Sequence, residues 1–429
     1  MSLIHPRLAR RGTRRGDVVL LVAVAVIAAH IVDDSFVNPE PGTFAGDHFV
    51  SGLVPLAVLA AAAATYLRAR RGGVRVVIAL LMGAFGLVVT AEGWYYSLAV
   101  GPSGDDYTGV VVLPAAVALL GLGAFEAWRS RRLDDRKLWR YPRRFLVGVV
   151  GVVVSFLVVQ PFLMTYGYTH IARPHVPAAD LGDADYEEVS FETSDGLTLN
   201  GWYVPSRNGA AVIAFPGRAA HVQEPARFLA AQGYGVLVFD RRGEAASEGD
   251  PNALGWGGSR DIEAAIEFLQ RQPDVDPDRI GGIGFSVGGE MLLEEAARND
   301  ALQAVVSEGA GVRSYREVTE AEGPMNVLAL PVWTATTAGV ALFSDSLPPP
   351  NLKELVADIG SRPVFLIYAE HGQGGEMLSA EYADVAGPET QLWRTESSHV
   401  GGYDADPEEY ERRVTEFFDD ALGASTAAD

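Results

Sequence analysis

The sequence predicts an α/β domain with a mostly parallel sheet and, ahead of it, an all-α domain that spans a membrane. Three observations predict this architecture. The first 167 residues hold five long apolar stretches, whereas the rest of the chain alternates between strand-like and helix-like segments. That alternation is typical of a parallel sheet covered by helices on both faces. The third observation is a serine in a glycine-flanked turn between a strand and a helix.

The composition limits the partners and the chemistry. The net charge of −21 argues against a nucleic-acid partner. The chain holds no cysteine, which excludes disulfides, a thiolate nucleophile and thiolate metal ligands. We expect neither a metal nor a cofactor. A mean hydropathy of +0.11 beside 21% charged residues indicates a membrane part joined to a soluble part.

Five apolar stretches are each predicted to cross a membrane, which takes about 20 residues as a helix. Their approximate bounds are Asp17–Val32, Phe49–Leu67, Val74–Leu98, Gly109–Trp128 and Phe145–Tyr166. The first stretch is short, as in a cleaved signal peptide. It has no convincing cleavage site and other spans follow it, so the sequence favours an uncleaved anchor, and both interpretations stay open.

The basic residues between these stretches indicate the topology. The N-terminus and the loops after the second and fourth stretches are rich in arginine, whereas the loops after the first and third hold neither arginine nor lysine. Cytoplasmic loops carry the excess of basic residues. We therefore expect a multi-pass protein of the cell membrane, in contact with the lipid bilayer, whose chain after Tyr166 lies on the extracytoplasmic side.

The predicted domains are a transmembrane domain over residues 1–167, a linker over 168–186 and an α/β domain over 187–429. Asp195-Gly196 is a hairpin signal between the first two strands. The predicted strands are Glu188–Thr193, Leu197–Val204, Ala210–Phe215, Val236–Asp240, Arg279–Ile283, Leu302–Ser307, Val364–Ala369 and Gln391–Arg394. The predicted helices are Val222–Gln232, Arg260–Gln272, Gly289–Asn299, Ala380–Ala386 and Pro407–Leu422.

An insertion of about 50 residues separates two of these strands, and we expect a lid at about residues 312–360. Its apolar part, Val327–Phe343, is short and interrupted by Pro331. A sixth span there would also place His399 across the membrane from Ser286. We therefore interpret the segment as a lid that touches the bilayer surface.

The turn Gly284-Phe285-Ser286-Val287-Gly288 has the strand before it and the helix after it that a nucleophile elbow requires. Small residues two positions either side of the serine allow the strand and the helix to approach closely. We expect a strained backbone at Ser286 and a hydroxyl at the positive end of a helix dipole.

Several motifs carry a resemblance to a known family. They are the Asp195-Gly196 hairpin before Trp202-Tyr203-Val204-Pro205, Phe215-Pro216-Gly217-Arg218, Phe239-Asp240-Arg241-Arg242-Gly243, Gly284–Gly288 and Ser398-His399-Val400-Gly401-Gly402. With them, residues from about 187 to 423 resemble an α/β-hydrolase, closest to the dienelactone-hydrolase and serine-aminopeptidase-like branches. The resemblance implies a catalytic triad in the chain order serine, acid, histidine.

The resemblance places the base and the acid in the last loops of the domain. His399 follows the last strand, where the family's base lies. Glu370 and Glu376 both lie in the acid loop, whose spacing departs from the family pattern. We favour Glu376, because a loop residue reaches the histidine more readily than one fixed at a strand end, and Glu370 remains the alternative.

The oxyanion of a tetrahedral intermediate needs preorganised N–H donors. Val287 N–H, directly after the nucleophile, is one predicted donor. The second should come from the loop after Phe215, where Pro216 has no N–H. Gly217 or Arg218 must then donate, and we favour Arg218.

These expectations describe a membrane-anchored serine hydrolase that cleaves a small-molecule ester or amide through an acyl-enzyme. An acyltransferase would use the same residues, and a sensor or binding protein would retain the fold without turnover. The sequence leaves the substrate and the oligomeric state open.

Overall fold

The computed structural model describes residues 6–99, 107–130, 137–170, 185–217, 222–250, 253–313, 315–320, 324–372 and 375–423. The chain divides into two compact units. The first comprises Met1–Leu163, His170–Pro174 and Leu342–Asp345, and the second Met164–Thr169, His175–Ala341 and Ser346–Asp429. Most of the predicted linker, residues 171–184, lies outside the described residues, so the predicted domain bounds stay predictions.

The N-terminal part of the chain is helical. Its helices are α1 (Pro6–Val32), α2 (Phe49–Arg68), α3 (Gly72–Ala99), α4 (Leu113–Ser130), α5 (Lys137–Val154) and α6 (Gln160–Thr169). Five segments of the described chain are long and apolar enough to cross a membrane: Arg15–Val37, Phe49–Arg68, Gly72–Leu98, Tyr107–Ser130 and Phe145–Thr169. The first is longer than its sequence predicted, because α1 continues through a π-helical turn at Asp33–Val37.

One polar cluster joins four of these helices. The guanidinium of Arg75 on α3 forms ion pairs with Asp17 on α1 and with Glu126 on α4. It also lies over the ring of Tyr66 on α2, 4.2 Å from the ring centre. Charged groups in an apolar unit are tolerated when they are paired, so the four helices share one electrostatic contact.

The second unit is built on one eight-stranded sheet. Its strands are β1 (Glu187–Glu192), β2 (Thr198–Val204), β3 (Ala211–Phe215), β4 (Gly235–Phe239), β5 (Ile280–Phe285), β6 (Ala304–Glu308), β7 (Val364–His371) and β8 (Thr390–Ser398). The strand order is β1-β2-β4-β3-β5-β6-β7-β8. β2 runs antiparallel to both of its neighbours, and all other pairs are parallel. Every residue of β3 to β6 is buried, as expected for strands covered on both faces.

Helices cover both faces of the sheet. The helices of this part are α7 (Gln223–Ala231), α8 (Ser259–Gln270), α9 (Val287–Ala296), α10 (Tyr315–Glu320), α11 (Pro324–Phe343), α12 (Leu352–Asp358), α13 (Ser379–Val385), α14 (Gly402–Ala405) and α15 (Pro407–Leu422). One apolar core lies under α7 and α15, and the other under α8, α9, α12 and α13. The predicted fold class, an α/β-hydrolase fold after an all-α part, is confirmed.

The insertion between β6 and β7 holds α10, α11 and α12. Within α11 the residues Ala329–Phe343 form a short apolar helix that is not long enough to be counted among the five candidate spans of the described chain. The expected lid region extended to about residue 360 and so included α12. This helix does not belong to a lid, because its residues Leu352 and Val356 are fully buried in the apolar core. The end of the predicted lid region is therefore part of the hydrolase core.

Candidate active site

Ser286 occupies the sharp turn between β5 and α9. Its backbone angles are φ 53° and ψ −123°, a conformation that residues with a Cβ rarely adopt. The flanking glycines permit it. A Cβ on Gly284 would lie 2.7 Å from the carbonyl of Gly288, and one on Gly288 would lie 2.6 Å from the carbonyl oxygen of Pro216. The sequence thus folds locally into the elbow that its spacing predicted.

His399 meets Ser286 from the loop after β8. The Nε2 atom of His399 lies 3.0 Å from Ser286 Oγ, within hydrogen-bond distance. The other ring nitrogen, Nδ1, contacts Glu376 Oε1. The structure therefore brings the three predicted residues Ser286, His399 and Glu376 into one line of contacts.

Glu376 is held by the turn that follows β7. Its second oxygen accepts a hydrogen bond from Ala369 N–H at 3.0 Å, and its side chain is almost fully buried. Gly375 has a φ of 90°, and a Cβ on Gly372 would lie 2.5 Å from the carboxylate. Gly372 and Gly375 thus leave room for the Glu376 carboxylate to lie against the loop.

Glu370, the alternative acid, contacts a different residue. β7 extends to His371, so Glu370 belongs to the strand and the pleat fixes its direction. Its carboxylate forms an ion pair with Arg394 of β8 at 3.0 Å. Glu376, and not Glu370, is the carboxylate beside His399.

The environment of His399 favours its protonated form. The hydrogen bond with Glu376 raises the pKa of His399 above 6.5, and burial of the ring opposes this shift. A buried carboxylate on one side of an imidazole fixes the tautomer and stabilises the imidazolium that forms when the other nitrogen takes a proton.

The structure describes one of the two predicted oxyanion donors, Val287. Val287 is the first residue of α9, two positions earlier than the predicted start of the helix. The N–H groups of a first helical turn have no acceptor within the helix, so this position suits an oxyanion donor. Arg218 lies outside the described residues, as does the rest of segment 218–221.

Sequence reasoning missed a set of buried carboxylates around the elbow. Glu308 ends β6, and its backbone oxygen accepts a hydrogen bond from Ser286 N–H at 2.7 Å. Glu290 and Glu294 on α9 are buried beside the fully buried Arg313. The sequence does show a glutamate, Glu308, at the end of the apolar strand Ala304–Glu308. It does not show the role of this residue, because the residues that contact its carboxylate are distant in sequence.

Comparisons with known proteins give the family context. The family described as X-Pro dipeptidyl-peptidase (S15 family) matches residues 166–406, which is more than half of the chain. The uncharacterized protein YfhR of Escherichia coli (strain K12) is 26% identical over 221 residues, covering 46% of this chain and 77% of that protein. The uncharacterized protein Rv2307c of Mycobacterium tuberculosis (strain ATCC 25618 / H37Rv) is 38% identical over 157 residues, 34% of this chain and 54% of that protein.

Two further proteins have names that refer to an activity. The polyketide transferase ATR5 of Stachybotrys chlorohalonatus is 29% identical over 206 residues, covering 45% of this chain and 65% of that protein. Among solved structures, the Pyrococcus furiosus esterase Pf2001 aligns with a TM-score of 0.47 and 24% identity, over 59% of this chain and 100% of that one.

Proposed function

We propose that this chain, which belongs to the X-Pro dipeptidyl-peptidase (S15) family, is a membrane-anchored serine hydrolase that cleaves an ester through an acyl-enzyme. The observation that carries the proposal is the line of contacts from Glu376 through His399 to Ser286. A strained serine on a helix N-terminus, an imidazole within 3.0 Å and a buried carboxylate behind it form the arrangement that activates a hydroxyl nucleophile.

In the proposed reaction, His399 Nε2 takes the proton of Ser286 Oγ as that oxygen attacks the ester carbonyl. The developing oxyanion is stabilised by Val287 N–H and by a donor from the loop after β3, for which Arg218 is our candidate. The imidazolium, stabilised by Glu376, then protonates the leaving alcohol. A water molecule, deprotonated by His399, hydrolyses the acyl-enzyme and releases the acid.

The insertion between β6 and β7 is proposed to act as a lid. Val340 of α11 is fully buried and packs with Trp256, which follows β4. Gly255, the neighbour of Trp256, lies so close to the elbow that a Cβ would be 3.0 Å from Val287 Cγ1. The insertion therefore packs on the segment that borders the elbow, where closure of a lid would exclude water from the reaction.

Anchoring and sidedness are proposed from the helical part. Five helices of the described chain are long and apolar enough to cross a bilayer. Together with the arginine asymmetry of the loops, they support a multi-pass protein whose hydrolase domain lies on the extracytoplasmic side. The substrate would then be an extracytoplasmic or membrane-surface compound.

The test is covalent labelling by a fluorophosphonate, which reacts with activated serines. We expect labelling of the full chain in detergent or membranes, and none of Ser286→Ala. A panel of p-nitrophenyl esters run beside X-Pro p-nitroanilides would then separate ester from amide cleavage. A wild-type protein that resists the probe while folded would identify a binding or sensor protein instead.

Acyl transfer is the second candidate, and the similarity to a protein named polyketide transferase favours it. A transferase would form the same acyl-enzyme and then pass the acyl group to an alcohol or amine in place of water. Adding such acceptors during turnover distinguishes the two. A hydrolase yields the free acid throughout, whereas a transferase yields the new ester or amide in proportion to the acceptor.

A further inference from the structure

Glu308, the last residue of β6, connects the two loops that carry Ser286 and His399. Its backbone oxygen accepts a hydrogen bond from Ser286 N–H, in the strained elbow, at 2.7 Å. Its carboxylate oxygen Oε1 accepts a hydrogen bond from Gly402 N–H at 2.8 Å, three residues after His399. One residue therefore fixes the backbone on both sides of the Ser286–His399 contact.

The other carboxylate oxygen is fixed from a third element. The hydroxyl of Tyr410 on α15 donates to Glu308 Oε2 at 2.7 Å. Both side chains are buried, and the ring of Tyr410 packs against Trp393 and Tyr403. A buried carboxylate is tolerated when its oxygens are hydrogen-bonded, and here each oxygen has a donor held by packed structure.

The backbone after Glu308 contacts the imidazole itself. Gly309 has a φ of 74°, and a Cβ there would lie 3.2 Å from His399 Cε1 and 2.8 Å from Val400 Cγ1. The ring of His399 therefore rests against the chain that leaves β6. Any shift of Glu308 would move both the backbone that contacts the His399 ring and the carboxylate that accepts a hydrogen bond from Gly402 N–H.

We propose that Glu308 is a positioning residue of the proposed hydrolase, which sets the spacing between Ser286 and His399 and, when ionised, places an additional negative charge near the imidazolium. The carboxylate acts through Gly402 and the ring, and it takes no proton from the substrate. This inference rests on the proposed function for its effect on turnover, but its structural part stands on the contacts alone.

Three carboxylates influence His399. They are Glu376 at Nδ1, Glu308 from β6 and Glu290 from α9, and each raises the pKa of His399, with the hydrogen bond to Glu376 having the largest effect. Burial raises the pKa of Glu308 to about 7, against the opposing effect of its donors Tyr410 and Gly402, and Glu376 adds to the rise. Removing the charge of the ionised Glu308 carboxylate should therefore lower the pKa of His399.

The activity test compares Glu308→Gln with Glu295→Gln. Glutamine keeps the shape and one acceptor but removes the charge. Glu295 is a matched control, because burial also raises its pKa to about 7 but its carboxylate accepts from the side-chain amide of Asn299 at 2.9 Å, outside both catalytic loops. The substrate is p-nitrophenyl butyrate, and kcat, KM and the pH profile of kcat/KM are measured.

We expect Glu308→Gln to lower kcat about tenfold with little change in KM, and to move the acid limb of kcat/KM to lower pH. Glu295→Gln should change kcat by less than about threefold. An unshifted acid limb together with a kcat within about twofold of wild type in Glu308→Gln would overturn the proposal.

Hydrogen exchange of the full chain, followed by mass spectrometry, tests the positioning part without using activity. Glu308→Ala removes the acceptor of Gly402 N–H, so peptides covering residues 399–406 should exchange about tenfold faster than in wild type. Tyr410→Phe keeps the Glu308 carboxylate and removes one of its donors, so the same peptides should exchange faster than in wild type but slower than in Glu308→Ala. This variant replaces Glu308→Ala in the test if Glu308→Ala does not fold.

Unchanged exchange of these peptides in the folded variants would overturn the positioning role. The two proposals fail in different ways. A wild-type protein that neither hydrolyses esters nor reacts with the fluorophosphonate would refute the proposed function, whereas the exchange of residues 399–406 would still decide the role of Glu308.

Discussion

Replacing Glu376 by glutamine should lower kcat/KM by about 10³- to 10⁴-fold, because both carboxylate oxygens are hydrogen-bond acceptors in the folded protein. Oε1 contacts His399 Nδ1, and Oε2 accepts from Ala369 N–H at 3.0 Å. The residue is 1% exposed, so water cannot replace a lost partner. Glutamine brings one oxygen and one NH₂ group to two places that both require an acceptor.

The amide can adopt two orientations, and each has a defined cost. With its oxygen toward Ala369, the NH₂ group faces Nδ1 and favours the tautomer that carries its hydrogen on Nε2. That tautomer cannot accept the proton of Ser286. With its oxygen toward His399, the NH₂ group faces Ala369 N–H, and a buried unpaired donor costs about 1–3 kcal/mol.

The first orientation avoids the unpaired donor and should dominate. The expected loss then corresponds to about 4–5.5 kcal/mol of transition-state stabilisation. The assay is kcat/KM with p-nitrophenyl butyrate, with the thermal unfolding midpoint measured in parallel to verify folding.

Glu370→Gln is the matched control. Glu370 and Arg394 have side chains that are 38% and 54% exposed, and ion pairs of this kind contribute about 1 kcal/mol at most. We expect kcat/KM within about threefold of wild type. If Glu370→Gln loses more activity than Glu376→Gln, or if folded Glu376→Gln stays within about tenfold of wild type, the acid is assigned wrongly.

Three further predictions concern the nucleophile, the base and the topology. Ser286→Ala should abolish ester hydrolysis while leaving the thermal unfolding midpoint close to that of wild type, and activity within about tenfold of wild type would contradict the assignment of the nucleophile. Glu376 raises the pKa of His399 above 6.5, and the neutral form of His399 is the proposed base, so kcat/KM should increase with pH through a midpoint above 6.5. Glu376→Gln should lower that midpoint. A wild-type midpoint below 6.5 would contradict the proposed role of Glu376. A reporter that works only in the cytoplasm, fused after Asp429, should stay silent, and a strong signal would reverse the proposed sidedness.

The parts of the site that the sequence could predict are those set by neighbours in the chain. The spacing of Gly284, Ser286 and Gly288 predicts the elbow, because these residues lie within one five-residue turn between a strand and a helix. The approach of Gly284 to Gly288 is local, whereas the approach of Gly288 to Pro216 is visible only in the structure. The position of Glu376 in a loop, and not at a strand end, predicts its reach by the same kind of local argument.

The rest depends on residues that are far apart in sequence. Glu308 and Tyr410 are separated by 102 positions, and Arg313 and Glu294 by 19, so no local pattern reports their contacts. The burial of α12, at the end of the expected lid region, could not be predicted for a similar reason. The sequence of an amphipathic segment does not show which surface its apolar face will contact.

The position of Tyr410 has a consequence for the order of events during synthesis. Chains emerge from the ribosome with the N-terminus first, and domains generally fold as units. His399 and Tyr410 lie on the last strand loop and the last helix of the described chain, and α15 is fixed by buried Phe417 and Phe418. The nascent chain therefore carries the proposed nucleophile for more than a hundred residues before the proposed base is synthesised, and we expect no activity until the final helix has docked.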